Sequence, residues 1–396
     1  KPYSFLQSRP AALHGLGPLR AFWRQTAQMA EKPKLVLHFD VNNTILAADP
    51  VSGVDLTAAL NTYLAGTCWG RETDGTWEWS ECTSKGEFTT TKPEDADMSY
   101  YKHLEAKMSD GPREEFKAAV GRFSESKDGA RVRPLFESML SALTSKEIKE
   151  PPFAFKQGDE WYYYLLPSFW RLLAKLQEEG RDFAVVIRTY GTDGPEVSKA
   201  ITAFSEGKHP EFPTACPRVK QAMPAFGAFR RSASKSGSGD IALELQMVST
   251  RSTGGNEATA ELTSTMNGEN HIFTLLSRLQ GTLCIRDDFE YWKRGGFTAA
   301  AGKPLWFVED ADARTVQHIL FDDNIRTWSK ESIADARQMA PGPKAGSWVS
   351  SGSCCPRTAQ DAGCLFCAEL HRSILEQDYF VEAVRECEAR WGKAAL

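Results

Sequence analysis

The sequence predicts an α/β fold, a doubly wound parallel sheet with an inserted cap domain. Short apolar runs at Lys34–Phe39, Phe183–Ile187 and Val316–Phe321 have the composition of parallel strands buried on both faces, and each stops at polar residues. Stretches with helical spacing of apolar residues alternate with them, as β-α-β crossovers require. Two long stretches, 51–160 and 208–269, interrupt the alternation and read as insertions.

Residues 1–32 form an N-terminal extension. Arg9, Arg20, Arg24, Lys32 and Lys34 are offset up to this point only by Glu31, the balance of a basic surface extension or of the end of a targeting peptide. The core takes residues 33–50 and 161–340. Its first strand halts at Asp40 and Val41-Asn42-Asn43-Thr44 makes a polar turn. In 51–160, a helix over Asp55–Ala65 precedes the turn-rich, Trp-rich segment Cys68–Lys92 and charged helices to about Lys149, which together form the cap. A helix over Leu166–Leu176, ended by Gly180, leads into Phe183–Ile187, which runs out at Arg188-Thr189; Pro195–Phe204 is the crossover helix. Residues 208–269 read as a loop-rich insertion, with Ser/Gly-rich runs at Ser232–Gly239 and Ser252–Asn256 and a hairpin pairing Ile241–Val248 with Ala258–Ser264. Gly281–Ile285 is a weaker third strand, Val316–Phe321 a fourth running into Asp322-Asp323-Asn324, and residues 341–396 a C-terminal helical extension.

A chain of 396 residues with 41% apolar and 11% aromatic residues buries a substantial core. A formal charge of −5 argues against nucleic acid as a partner. No apolar stretch approaches the roughly 18 residues of a membrane span, so a soluble protein is expected, cytoplasmic or organellar after removal of a targeting peptide. Nine cysteines are too few for a disulfide scaffold. Cys354, Cys355, Cys364 and Cys367 crowd together, with His371 four residues on. Cys-x-x-Cys is a usable zinc half-site and the adjacent pair a poor one, which leaves free thiols, one disulfide and zinc all open.

In open α/β sheets, sites form beyond the carboxyl ends of the strands. Three strand ends here place polar groups there: Asp40, Thr189 and the Asp322–Asp323 pair. Carboxylates converging from two strands repel unless a cation lies between them, and hard oxygen donors suit Mg2+, which keeps places for water and phosphate oxygens. With the charge of a phosphoryl group absorbed in this way, a carboxylate can attack it.

The pattern resembles the haloacid dehalogenase superfamily, whose Rossmann-like core opens with an apolar strand ending D-x-D-x-T/V, here Asp40-Val41-Asn42-Asn43-Thr44. The second motif, a strand ending in Ser or Thr, resembles Val185-Val186-Ile187-Arg188-Thr189; the third, Lys often followed by Pro, resembles Gly302-Lys303-Pro304, with Lys293 and Arg294 as competitors nearby; the fourth resembles Ile319-Leu320-Phe321-Asp322-Asp323. The resemblance covers roughly half the chain. It implies Asp40 as nucleophile and metal ligand, Thr189 as hydrogen-bond partner of a phosphoryl oxygen, Lys303 as the neutralising cation, and Asp322, Asp323 and Asn42 as metal ligands, with Asn42 also at the catalytic acid–base position. It also implies that 51–160 and 208–269 lie where the family inserts caps. The function implied is a magnesium-dependent phosphatase or phosphotransferase acting on a small phosphorylated metabolite through an aspartyl-phosphate.

One position departs from the pattern. The family's phosphatases carry an acid two residues after the nucleophile, where this chain has Asn42. A carboxamide cannot shuttle a proton near neutral pH, and such help is worth about 10²–10⁴ in rate. Dehalogenases, phosphonate hydrolases and cation-pump ATPases of the family also depart from an acid there. The alternative is a non-catalytic fold of the same type serving as a binding or assembly subunit with a protein partner. His38, two residues before Asp40, reads as a packed core histidine, and Trp69, Trp77, Trp79 and Tyr162–Tyr164 as core or as pocket lining.

Overall fold

Each apolar run becomes a strand of one sheet. In chain order these are β1 (Lys34–Asp40), β2 (Phe183–Thr189), β3 (Gln221–Ala233), β4 (Ile241–Ser252), β5 (Ala258–Asn267), β6 (Gly281–Arg286), β7 (Val316–Asp322) and β8 (Leu365–Cys367). The computed structural model describes residues 32–48, 53–233, 241–252, 258–308, 315–339, 348–350 and 355–393. The sheet order is β5-β4-β3-β6-β2-β1-β7-β8. From β3 to β8 every pair is parallel; β4 and β5 add an antiparallel edge. The molecule is therefore a mixed α/β protein built on a large, mostly parallel sheet.

Burial explains why β1 reads as continuous apolar sequence. Leu35, Leu37 and Phe39 meet a cluster supplied by the helices Pro167–Glu178, Gly194–Ser205 and Tyr379–Lys393, while Val36 meets Leu276 and Trp306 on the other face. Phe39 stacks on Phe321 at 4.5 Å. His38 is fully buried and hydrogen-bonds His318 (Nε2 to Nδ1, 3.1 Å), the packed arrangement expected of it.

Two expectations are corrected. Residues 208–269 are not loop-rich: they supply three long strands that extend the central sheet. Leu243, Leu245 and Met247 alternate inward against Phe229, while most of the two Ser/Gly runs (234–240 and 253–257) lies outside the described residues. The C-terminal stretch is not wholly helical, because Leu365–Cys367 closes the sheet beside β7.

Residues 53–163 place none of their described strands in the central sheet. The helix Leu56–Thr67, capped by Asp55 through Ala58 N at 2.9 Å, heads an apolar cluster of its own with Phe116, Phe123, Met139 and Leu143. That cluster reaches Leu370, and Tyr63 bonds His371 at 2.8 Å, tying the insertion to the C-terminal helix Leu370–Leu375. Among the described residues no helix is long and apolar enough to cross a membrane.

Burial among Phe153, Trp170 and Phe204 lowers the pKa of His209 to about 4. The folded chain refuses a proton that the unfolded chain takes below about 6.5, so this contribution is intact above that pH and is lost as pH falls toward 4. His209→Gln should therefore flatten acid destabilisation by about 2 kcal/mol at pH 5 relative to pH 7, measured by urea unfolding. Equal pH slopes in the two proteins would refute the assignment.

Candidate functional site

β1 is the point at which the chain changes direction across the sheet. It is followed by β2 on one side, and β7 and β8 later fill the other. Switch points of this kind open a crevice beyond the carboxyl ends of the strands. Phe39 lies opposite Phe321, so Asp40 and Asp322 leave adjacent strand ends together. The turn after Asp40 is tight: Ile45 and Leu46 both donate to the Val41 carbonyl at 3.0 Å, and Asn43 takes a left-handed conformation (φ 59°) that asparagine tolerates.

Lys303 arrives from a different sheet. It begins the strand Lys303–Phe307, which pairs in parallel with Ala334–Met339. Gly302 before it has no room for a side chain, since a Cβ would lie 2.1 Å from the Ile333 carbonyl oxygen. The fully buried ammonium donates to Asp40 Oδ1 and, at 2.8 Å, to Asp322 Oδ2. Beneath it Arg188 makes a buried two-pronged ion pair with Asp287 (2.9 and 2.5 Å) and donates to the Pro304 carbonyl at 3.1 Å, which fixes the backbone next to Lys303.

Oxygens of Asp40, Asp322 and Asp323 all lie within 4.8 Å of one another. Burial raises the pKa of Asp40; Lys303 opposes that push and Asp322 adds to it. Burial, then Asp322 and Asp40, raise Asp323 well above the usual carboxylate range. Burial alone would lower Lys303, but Asp322 and Asp40 outweigh it and hold the ammonium charged. Three carboxylates facing one ammonium leave negative charge to balance, and an all-oxygen donor set of this density fits a divalent cation such as magnesium.

The other expected residues lie next to the same strand ends but differ in their bonding. Thr189 lies one residue beyond Arg188, which pairs with Asp40 in the sheet, and its hydroxyl accepts from Gly191 N at 2.9 Å. Asn42 is exposed, and its Nδ2 donates to Asp193 Oδ2 at 3.1 Å. Asp193, buried in the loop after β2, was missed by sequence reasoning, because a single acid in a polar loop carries no pattern. Arg188 and Asp287 were missed as a pair for the same reason.

A cleft of about 1210 Å³ opens over this centre. Asn42, Asn43 and Asp323 line its floor, residues 54–120 supply one wall, and Trp292, Phe297 and residues 324–333 supply the other. Trp69 reaches it. Trp77 and Trp79 instead stack among Tyr100 and His103 within the insertion. Of the cysteine cluster, Cys354 lies outside the described residues. Cys364 is buried, Cys367 contacts Thr90 Oγ1 (3.3 Å), and His371 is engaged by Tyr63. No protein-family model matches the chain, and neither a curated protein nor a solved structure matches it significantly.

Proposed function

We propose that the chain is a magnesium-dependent phosphatase or phosphotransferase of the haloacid dehalogenase type, acting on a small phosphorylated metabolite through an aspartyl-phosphate at Asp40. The observation that carries this reading is one buried ammonium, Lys303, bridging Asp40 and Asp322 with Asp323 alongside, at the switch point of a parallel sheet. A structural ion pair needs one carboxylate; a phosphoryl site needs a nucleophile, a cation beside it and further carboxylates for metal.

Each residue then has a task. An Asp40 carboxylate oxygen attacks phosphorus as the bond to the leaving oxygen breaks, and the electron pair departs on that oxygen. Lys303 holds Asp40 in place and offsets the negative charge of the incoming phosphate. The Thr189 hydroxyl donates to a phosphoryl oxygen. Asp40, Asp322 and Asp323 hold magnesium, which when bound screens the phosphate charge from the nucleophile. Water attacking phosphorus later releases phosphate and restores the Asp40 carboxylate. The wall formed by residues 54–120 acts as the cap, limiting water and bulky substrates at the centre.

Asn42 favours a second reading, a binding or assembly subunit without turnover. Both predict magnesium binding, but only catalysis needs phosphate on Asp40. Magnesium with beryllium fluoride, which mimics that phosphate, should raise the thermal midpoint beyond magnesium alone, by the equivalent of about 2.7 kcal/mol when the ligand exceeds its Kd 100-fold. Asp40→Asn should lose the fluoride increment. A midpoint indifferent to metal and fluoride would sink the phosphotransfer reading.

A further inference from the structure

The wall beside Lys303 is aromatic in an unbroken series. The Lys303 Nζ lies 5.2 Å from the centre of the Tyr190 ring, and Tyr190 stacks on Trp292 at 5.2 Å with 10° between planes. Trp292 meets Phe297 edge-on at 5.0 Å, and both rings line the cleft. Phe297 is held there against two preferences. Its backbone is left-handed (φ 59°), a conformation that costs a bulky residue of order 1–3 kcal/mol, and its ring remains 40% exposed. A strained backbone that packs one side of the ring on Trp292 and leaves the rest open to the cleft points to a face kept for a ligand. Tyr101, edge-on to the buried Phe116 at 5.3 Å, also lines the cleft.

The chemistry of the floor points to the same ligand. Asn42, tied through Nδ2 to Asp193, offers no proton to a departing oxygen. An aryl oxide needs none: its conjugate acid has a pKa of about 10, as for tyrosine, whereas an alkoxide resembles hydroxide, whose conjugate acid lies near about 15.7.

We infer that the substrate is a small aryl phosphate, a phosphomonoester whose leaving oxygen is bonded directly to an aromatic ring, and that this ring stacks on the Trp292–Phe297 face. This rests on the phosphotransfer reading above and narrows it. Asp40 forms the new bond to phosphorus, the bond to the aryl oxygen breaks with its electron pair leaving as aryl oxide, and that oxide takes a proton from solvent. A nucleoside monophosphate fits less well, because a sugar separates its ring from phosphorus and its leaving oxygen is alkyl.

The test compares phenyl phosphate, glycerol 3-phosphate and adenosine 5′-monophosphate with magnesium, in the full chain and in Phe297→Gly. Glycine relieves the left-handed strain and gives up the ring's contacts with Trp292 and Phe289, so the thermal midpoint of the variant is measured alongside and rates are compared well below it. The parent should favour phenyl phosphate over glycerol 3-phosphate in kcat/KM by about 100-fold or more. Phe297→Gly should narrow that ratio roughly 3- to 10-fold, the worth of one aromatic contact. Equal parental rates on the aryl and alkyl esters, an unchanged ratio in the variant, or a preference for the nucleotide would each overturn the inference while leaving the phosphotransfer reading standing. Failure to cleave any of the three would overturn the inference together with that reading.

Discussion

Replacing Lys303 with methionine should cost about 3–5 kcal/mol of stability in metal-free buffer and abolish phosphate turnover. Lys303 and Asp322 are fully buried, and the ammonium serves Asp40 and Asp322 at once, with the Arg188 carbonyl at 3.4 Å as a third partner. Methionine roughly preserves volume, so the loss isolates the charge. What remains is three carboxylates with oxygens within 4.8 Å of one another, with the Arg326 charge still acting on Asp323 but the ammonium that bridged Asp40 and Asp322 gone. Two remedies are open to the folded chain: the acids take up protons, or a divalent cation enters. Magnesium should therefore stabilise Lys303→Met by more than it stabilises the parent, and urea titrations of both proteins with and without metal measure this directly. A variant as stable as the parent without metal would mean that the ammonium is not what holds the carboxylates together, and the account of the site would fail at its centre.

How much of this was legible depends on the kind of signal. The strand runs ending at Asp40, Thr189 and Asp322 were readable because strands buried on both faces must be apolar throughout, and the polar residue that stops each run marks its end. The convergence of Asp40 and Asp322–Asp323 was legible because adjacent strand ends fix where their side chains meet, whereas Lys303, which comes from a separate sheet, was placed there only by the family resemblance. β4 and β5 were visible as a hairpin. Their membership of the central sheet was not, because pairing through β3 is a matter of tertiary registry that no local period records. β8 was hidden by its brevity among cysteines and helices. Asp193, Asp287 and Phe297 carry no periodic mark either: two act through a partner far off in the chain, and the third through its backbone conformation. Asn42 was visible as a departure from a pattern, but only the structure shows that its nitrogen is already committed to Asp193.

That commitment decides how the missing acid can be restored. Asn42→Asp alone should give little, because it sets a second carboxylate where an amide now lies 3.1 Å from the Asp193 oxygen. Two carboxylates at that distance do not both ionise; they share a proton, and the new acid is occupied by its neighbour instead of serving the leaving oxygen. Combining Asn42→Asp with Asp193→Asn keeps the hydrogen bond and reverses its direction, so that the amide now donates to the new carboxylate and leaves its outer oxygen to act as acid and base. The double variant should turn over an alkyl phosphate such as glycerol 3-phosphate about 10²-fold or more faster than the parent. Its rate should fall on both sides of an optimum, since one carboxyl must be protonated to release the alcohol and ionised to activate water. Asp193→Asn alone should give no gain, as it supplies no acid and places two amides against each other. The measurement is kcat/KM against pH for the four proteins of the cycle, and the coupling between the two positions carries the information. If the double variant were no faster than Asn42→Asp, Asp193 would not govern position 42; if neither exceeded the parent while Asp40 remained essential, the absent acid would not be what limits alkyl esters here.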